Sequence, residues 1–132
     1  MFSNHLGNAI INYTLRGQAM PGISGTYFAL FTANPTASFT DGTEVSAGWY
    51  ARKATGSFAA PNAKTSYNST RVEFDPVTGS SVTITHIGIV DAITGGNLLY
   101  YEALSTPVTM AINGVYAVDS QTLAGDFTLT LV

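Results

Sequence analysis

Apolar positions in this chain recur mostly with period two. The clearest case is Thr85 to Leu104, THIGIVDAITGGNLLYYEAL, which reads as two strands joined by a turn at Gly95-Gly96. In the first strand Thr85, Ile87 and Ile89 share one face, and His86, Gly88 and Val90 share the other. Just upstream, Val82 and Ile84 have the opposite parity to Ile87 and Ile89. Such a switch means either that both faces are covered or that a bulge near Thr85-His86 re-aims the strand, and both favour a two-layer fold. Gly88 leaves a gap in one face where a bulky neighbour can come close. After the Asp91–Asn97 turn, Leu98, Tyr100 and Leu104 alternate with Leu99, Tyr101 and Ala103. Both faces are again largely apolar, so the hairpin is expected at the centre of the fold and not at an exposed edge.

One segment departs from this period. Ser3 to Arg16 reads as a helix, with Ser3 placed to cap its start and Gly17 placed to end it. At about 3.6 residues per turn, Phe2, Leu6, Ala9, Ile10 and Tyr13 fall on one stripe, which is expected to pack on the body of the domain. Ile11 and Leu15 fall on nearly the opposite side, beside Asn4 and Asn8. Either they are incidental exposed apolar residues, or the helix is sandwiched between its own sheet and another subunit. The second reading makes Ile11, Leu15, Asn4 and Asn8 the candidate subunit interface.

The remaining segments are short. Tyr27 to Thr32 reads as a strand stopped by Asn34-Pro35, Thr36 to Ala47 as a long loop carrying Asp41 and Glu44, and Trp49 to Ala54 as a strand leading into Ser57-Phe58. Pro61 to Ser69 is turn-rich. In RVEFD, Val72 and Phe74 alternate with Arg71, Glu73 and Asp75, a strand with one wet face. Pro107 to Met110 can pair briefly, Asn113-Gly114 marks a turn, and Val115 to Val118 is a short strand. The last piece puts Phe127, Leu129 and Leu131 on one face, which ties that end of the chain into a sheet. About eight short strands with turn signals every 8–12 residues predict an all-β fold, β-sandwich or jelly-roll-like, with one N-terminal α-helix. No repeat or linker divides residues 1–132, which read as a single domain.

Composition narrows the functional classes. Charged residues make up 10% of the chain, the net charge is −3 and there is no cysteine. A chain so poor in charge is more easily kept soluble where neighbouring subunits cover much of its surface. The 5 basic residues are scattered, which argues against nucleic acid as a partner. No apolar run reaches the roughly 20 residues of a membrane span, and MFSNHLGNAI lacks the features of a secretory signal, so no membrane association is expected.

Candidate chemistry is sparse. His5 and His86 are the only histidines. His86 with Asp91 and a serine could be written as a triad, but any chain of this composition offers such triples, and His86 is read as a strand residue hydrogen-bonded to a neighbour. No G-x-S-x-G elbow, P-loop or H-E-x-x-H is present. Asp41 with Glu44, or Glu73 with Asp75, could hold calcium, yet no dense oxygen-ligand motif appears, and they read as solvated surface charges. Tyr100 and Tyr101 point to opposite faces and cannot form one sugar-stacking platform, so they read as packing residues.

Three blocks, TYFALFTANPT (Thr26 to Thr36), GTEVSAGWYARKA (Gly42 to Ala54) and THIGIVDAITGGNLLYYEALSTPVTM (Thr85 to Met110), follow LGNAIINYTLRG near the start. Together they resemble a family of small virion proteins of tailed bacteriophages, whose members are labelled tail fibre proteins or head decoration (cement) proteins. The stretch after Met110 is less typical of it. The resemblance implies a structural virion protein, not an enzyme, with no catalytic, cofactor-binding or metal residues to carry over. Asn34-Pro35, Gly42 and Gly95-Gly96 would shape the backbone, and Tyr50-Ala51-Arg52 would sit at a strand start. A fibre needs a shaft or a receptor-binding tip, whereas a decoration protein needs only a small β domain, a self-associating face and a patch that grips the shell. The implied form is therefore a homotrimer that binds the major capsid protein on the outer capsid surface, after synthesis in the bacterial host cytoplasm. The alternative is a structural or host-binding module of a tail fibre or baseplate.

Overall fold

A computed structural model describes residues 1–39 and 43–120, and the backbone of 128–130. Its helix α1 spans Asn4–Arg16. Ser3 caps it by accepting a hydrogen bond on Oγ from the Leu6 N–H at 3.1 Å, which satisfies one of the free donors of the first turn. Gly17, at φ 67°, closes the other end with its N–H on the Asn12 carbonyl, a left-handed position that suits glycine. Leu6 and Ala9 are buried as the stripe predicts, with Phe2 and Ile10 packed against the core. Tyr13 is not: it is 58% exposed. Tyr13 to Arg16 are exposed all round, so the last turn has run past the sheet and the stripe no longer implies burial there.

The described strands are β1 (Tyr27–Phe31), β2 (Lys53–Ala54), β3 (Thr65–Tyr67), β4 (Val72–Glu73), β5 (Val82–Val90), β6 (Leu98–Met110), β7 (Ala117–Val118) and β8 (Thr128–Thr130). All pairings are antiparallel. They form a four-stranded sheet in the order β2-β1-β5-β6 and two ladders, β3-β8 and β4-β7. The all-β class with one N-terminal helix is as expected from the periodicity.

The parity switch in β5 has a physical origin. Ile84 pairs with Val108, but His86 pairs with Ala103, so Thr85 alone faces the Leu104–Pro107 stretch of β6. This bulge brings Ile84 into the same core cluster as Ile87 and Ile89 despite their opposite parity. A second register shift lies between Ile89, opposite Tyr100, and Val90, opposite Leu98, which leaves Leu99 as the extra residue. Leu99 and Tyr100 can therefore both serve one cluster while Leu98 and Tyr101 serve the other.

Both faces of the main sheet are covered. One carries the larger cluster, in which Phe28, Leu30, Ile87 and Ile89 meet Leu6 of α1, Val45 and Trp49 of the preceding loop, and Phe74 and Val118 from the β4-β7 region. The other carries Ala29, Phe31, Val90, Leu98 and Tyr101, with Tyr27, Ala37 and Phe39 against them. A methyl group on Gly88 would lie 2.9 Å from Leu98 Cδ1 and 3.0 Å from Phe31 Cε2, so the gap is filled from both neighbouring strands.

Several expectations are corrected. The hairpin is not wholly central, because β5 is interior but β6 is an edge. The first part of that edge is covered by the chain start, through Ser3 N–H to the Leu99 carbonyl at 2.9 Å and Tyr101 N–H to the Met1 carbonyl at 3.1 Å. Further along, Pro107 has no N–H to offer an additional strand, a residue suited to an edge. In Trp49–Ala54 only Lys53–Ala54 is strand, because Trp49 turns into the core and Tyr50 and Arg52 connect through side chains. The turn-rich Pro61–Ser69 contains β3, and Val115–Val118 shortens to Ala117–Val118. The final strand is present in part as β8, while Phe127 and Leu131 lie outside the described residues.

Candidate functional site

The face of α1 turned away from the sheet is the candidate assembly surface. Ile11 is 53% and Leu15 80% exposed, and Asn4 and Asn8 beside them are exposed too. The helix thus presents apolar side chains on the side opposite Leu6 and Ala9, where no described residue covers them. Exposed apolar side chains continue beyond the helix at Met20 and Ile23. Isolated exposed apolar residues are ordinary, but a run of them on one short stretch is the usual composition of a surface that meets another molecule.

Sequence reasoning missed a polar cluster elsewhere in the fold. Arg52 donates from Nε to Glu44 Oε2 at 2.8 Å and from Nη2 to Glu44 Oε1 at 2.7 Å. Its Nη1 reaches the carbonyls of Ala92 and Gly95, at 2.7 and 2.8 Å, in the turn between β5 and β6. Tyr50 donates its hydroxyl to Glu44 Oε2 at 2.5 Å and accepts on it from the Leu30 N–H at 3.1 Å. Burial pushes the Glu44 carboxyl up, but the hydrogen bonds from Arg52 and Tyr50, together with the Arg52 charge, outweigh it and hold the group below its ordinary value. The Tyr50 phenol is pushed well up, first by burial and then by its bond to Glu44. Glu44 is therefore not a solvated surface charge. The cluster locks the Thr43–Arg52 region to β1 and to the hairpin turn, so its role is to fix the sheet edge and the turn. The one signal available was the block GTEVSAGWYARKA, which carries all three residues.

Among the described residues, the remaining candidates do not come together as a reaction centre. His86 Nδ1 lies 2.8 Å from Thr85 Oγ1, the neighbour bond expected of a strand residue. Glu73 pairs with Arg71 and Asp75 with Lys53 at the surface, and Arg71 also pairs with Asp119. Asp41 lies outside the described residues, as does Gly42. No group of three or more His, Cys, Asp or Glu with metal-binding geometry occurs among the described residues. Tyr101 is buried and Tyr100 packs on the opposite cluster, so neither forms an aromatic platform. Gly95 and Gly96 both adopt positive φ in the hairpin turn, and Asn34 Oδ1 accepts from the Thr36 N–H beside the buried Pro35. No described helix is long and apolar enough to cross a membrane.

Fold and surface together define a small antiparallel β domain with an N-terminal helix that presents an uncovered apolar face. The chain belongs to the family described as podophage GP4 fiber I protein gp80, whose model matches residues 1–126. It is thus a bacteriophage virion protein, in agreement with the expected class. The match covers the stretch after Met110 almost to its end and supports the virion location without distinguishing head from tail. No curated protein matches the chain.

Proposed function

We propose that this chain is a non-catalytic structural subunit of the phage fibre apparatus that assembles with copies of itself, most simply as a trimer, through the outer face of α1. The observation that carries the reading is the exposure of Ile11 and Leu15 on a well-capped helix whose other face is buried. Covering one such side chain is worth about 1.5–3 kcal/mol, so a symmetric contact repeated around an axis gains several of these terms. The family description supports the fibre placement. A second reading, a decoration protein that binds the major capsid protein on the outer shell, is favoured by a sequence with no internal repeat of the kind a long shaft requires. Neither reading gives the chain a cofactor, a nucleic-acid partner or a membrane partner.

The test combines two measurements. Sedimentation of the purified chain should give a discrete oligomer, and labelled antibody on intact virions should mark fibres at low copy number. Label spread over the head at three-fold positions would select the decoration reading. A monomer at high concentration with no labelled fibre would refute the self-assembling reading.

A further inference from the structure

Along one side of α1, between its buried and outer faces, lies a polar groove of about 340 Å3. His5, Asn8, Asn12 and Arg16 form a stripe along it, at spacings that fall on one helix face, and Gln18 lines its far end. The volume is at the small end of the roughly 300–1,000 Å3 typical of small-ligand sites. Ala9 forms part of the lining and no carboxylate does. Indeed, residues 1–39 contain no acidic side chain. Asp91 interacts electrostatically with His5, but Asn97 holds it in the hairpin turn through its backbone N–H at 2.6 Å and its side-chain amide at 3.0 Å.

The hydrogen bonds already made determine what the groove still offers. Arg16 Nη1 donates to Asn12 Oδ1 at 2.9 Å, which occupies the acceptor of Asn12 and leaves its amide N–H2 as a donor. The Asn12 backbone carbonyl is taken by the N–H groups of Gly17 and Gln18. Arg16 pairs with no carboxylate among the described residues. At the Arg16 end the groove is therefore rich in donors and carries a positive charge. The side-chain amides of Asn8 and Gln18, also in the lining, each present a donor and an acceptor, the pairing that sugar hydroxyls require.

We propose that this groove binds an acidic saccharide, its carboxylate on Arg16 and Asn12 and its hydroxyls on Asn8 and Gln18. One guanidinium among three amides matches a ligand with one charge and several hydroxyls better than a run of acidic side chains. Ile11 and Leu15 do not line the groove, but Asn8 borders the candidate assembly face, so the site requires an assembly that leaves Asn8 accessible.

The test is a calorimetric and NMR titration of the full chain with the methyl glycoside of galacturonic acid, which carries one carboxylate, alongside the neutral methyl galactoside and a glutamate-rich peptide. Saturable binding of the acidic sugar is expected, with shifts at Asn8, Asn12 and Gln18. Arg16→Gln and Asn12→Ala should each weaken it about tenfold, as should loss of the sugar carboxylate, the scale of one charge-assisted contact. Both side chains lie at the end of the helix away from the core, and an unchanged melting curve will show that the variants are folded. Absence of saturable binding, undiminished binding to Arg16→Gln, or tighter binding of the peptide than of the sugar would each overturn the proposal. The same titration on Ile11→Asp, a change that weakens the proposed assembly without altering a residue of the groove lining, should still show saturable binding, which keeps failure of this site distinct from failure of the assembly reading.

Discussion

Arg52 and Glu44 form a two-pronged ion pair, at 2.8 and 2.7 Å, in which the Arg52 side chain is only 7% accessible. The same guanidinium holds two carbonyls of the hairpin turn, so the pair ties residues distant in sequence to one another. Glu44→Gln should cost about 3 kcal/mol, the lower end of the cost of breaking a buried pair because Glu44 retains some solvent contact. Urea unfolding of the two proteins at neutral pH measures it. The pH dependence has a definite sign. Glu44 is held below its ordinary value, so its contribution is fully present above the usual glutamate range and is lost as pH falls through the lowered pKa. The stability difference from Glu44→Gln should be constant near neutrality and shrink in strong acid. A gap that widens on acidification would contradict the assignment.

Gly88 permits close contact between β5 and its neighbours. A Cβ there would meet Leu98 Cδ1, Phe31 Cε2 and the Tyr100 carbonyl oxygen at 2.9, 3.0 and 3.1 Å. The side chains can shift, but the carbonyl belongs to the paired strand β6 and cannot move without disturbing the ladder. Gly88→Ala should therefore destabilise by about 1–3 kcal/mol, as overpacking does. Thermal melting measures this, and a variant as stable as the parent would show that the sheet is looser than described.

What was legible in the sequence follows from which interactions are local. Ser3, Gly17 and the helical stripe act within a few residues, and the helix was found with both caps. The parity switch in β5 announced its bulge because side-chain alternation is itself a local rule. Tyr13 failed because burial depends on where the body of the domain ends, which no helical period contains. Trp49–Ala54 failed differently: its alternation is that of a strand, but Tyr50 and Arg52 meet partners at Leu30, Glu44, Ala92 and Gly95. The order of β2-β1-β5-β6, which makes β6 an edge, likewise depends on pairings distant in sequence. The outer helix face was legible because both its periodicity and its composition are written in consecutive residues.

His86 is the one residue around which an enzymatic reading could be built. Its Nδ1 is engaged with Thr85, in the strand pairing His86 with Phe31 and Ala103. His86→Ala should leave virion assembly intact and should not abolish any hydrolytic activity found in the purified chain. Complementation of a phage lacking the gene, with infectious titre as readout, checks the first, and an ester and peptide substrate panel checks the second. A variant that assembles normally but loses a measured activity would restore the enzyme reading.

The two faces of α1 provide the sharpest separation of folding from assembly. Leu6 is 6% exposed within the main cluster, so Leu6→Asp buries an unpaired carboxylate at a cost of several kcal/mol and should unfold or strongly destabilise the monomer. Ile11 and Leu15 are exposed in the single chain, so Ile11→Asp and Leu15→Asp should change monomer stability by no more than about 0.5 kcal/mol. If the outer face is the contact between subunits, the same changes remove about 1.5 kcal/mol or more of apolar burial per site. They should therefore weaken association at least about tenfold, more if each copy contributes the residue twice. Circular dichroism melting reads the first effect and sedimentation across a concentration series reads the second. Variants at Ile11 and Leu15 that melt like the parent and associate like the parent would remove the helix from the interface and move the search to the uncovered stretch of β6.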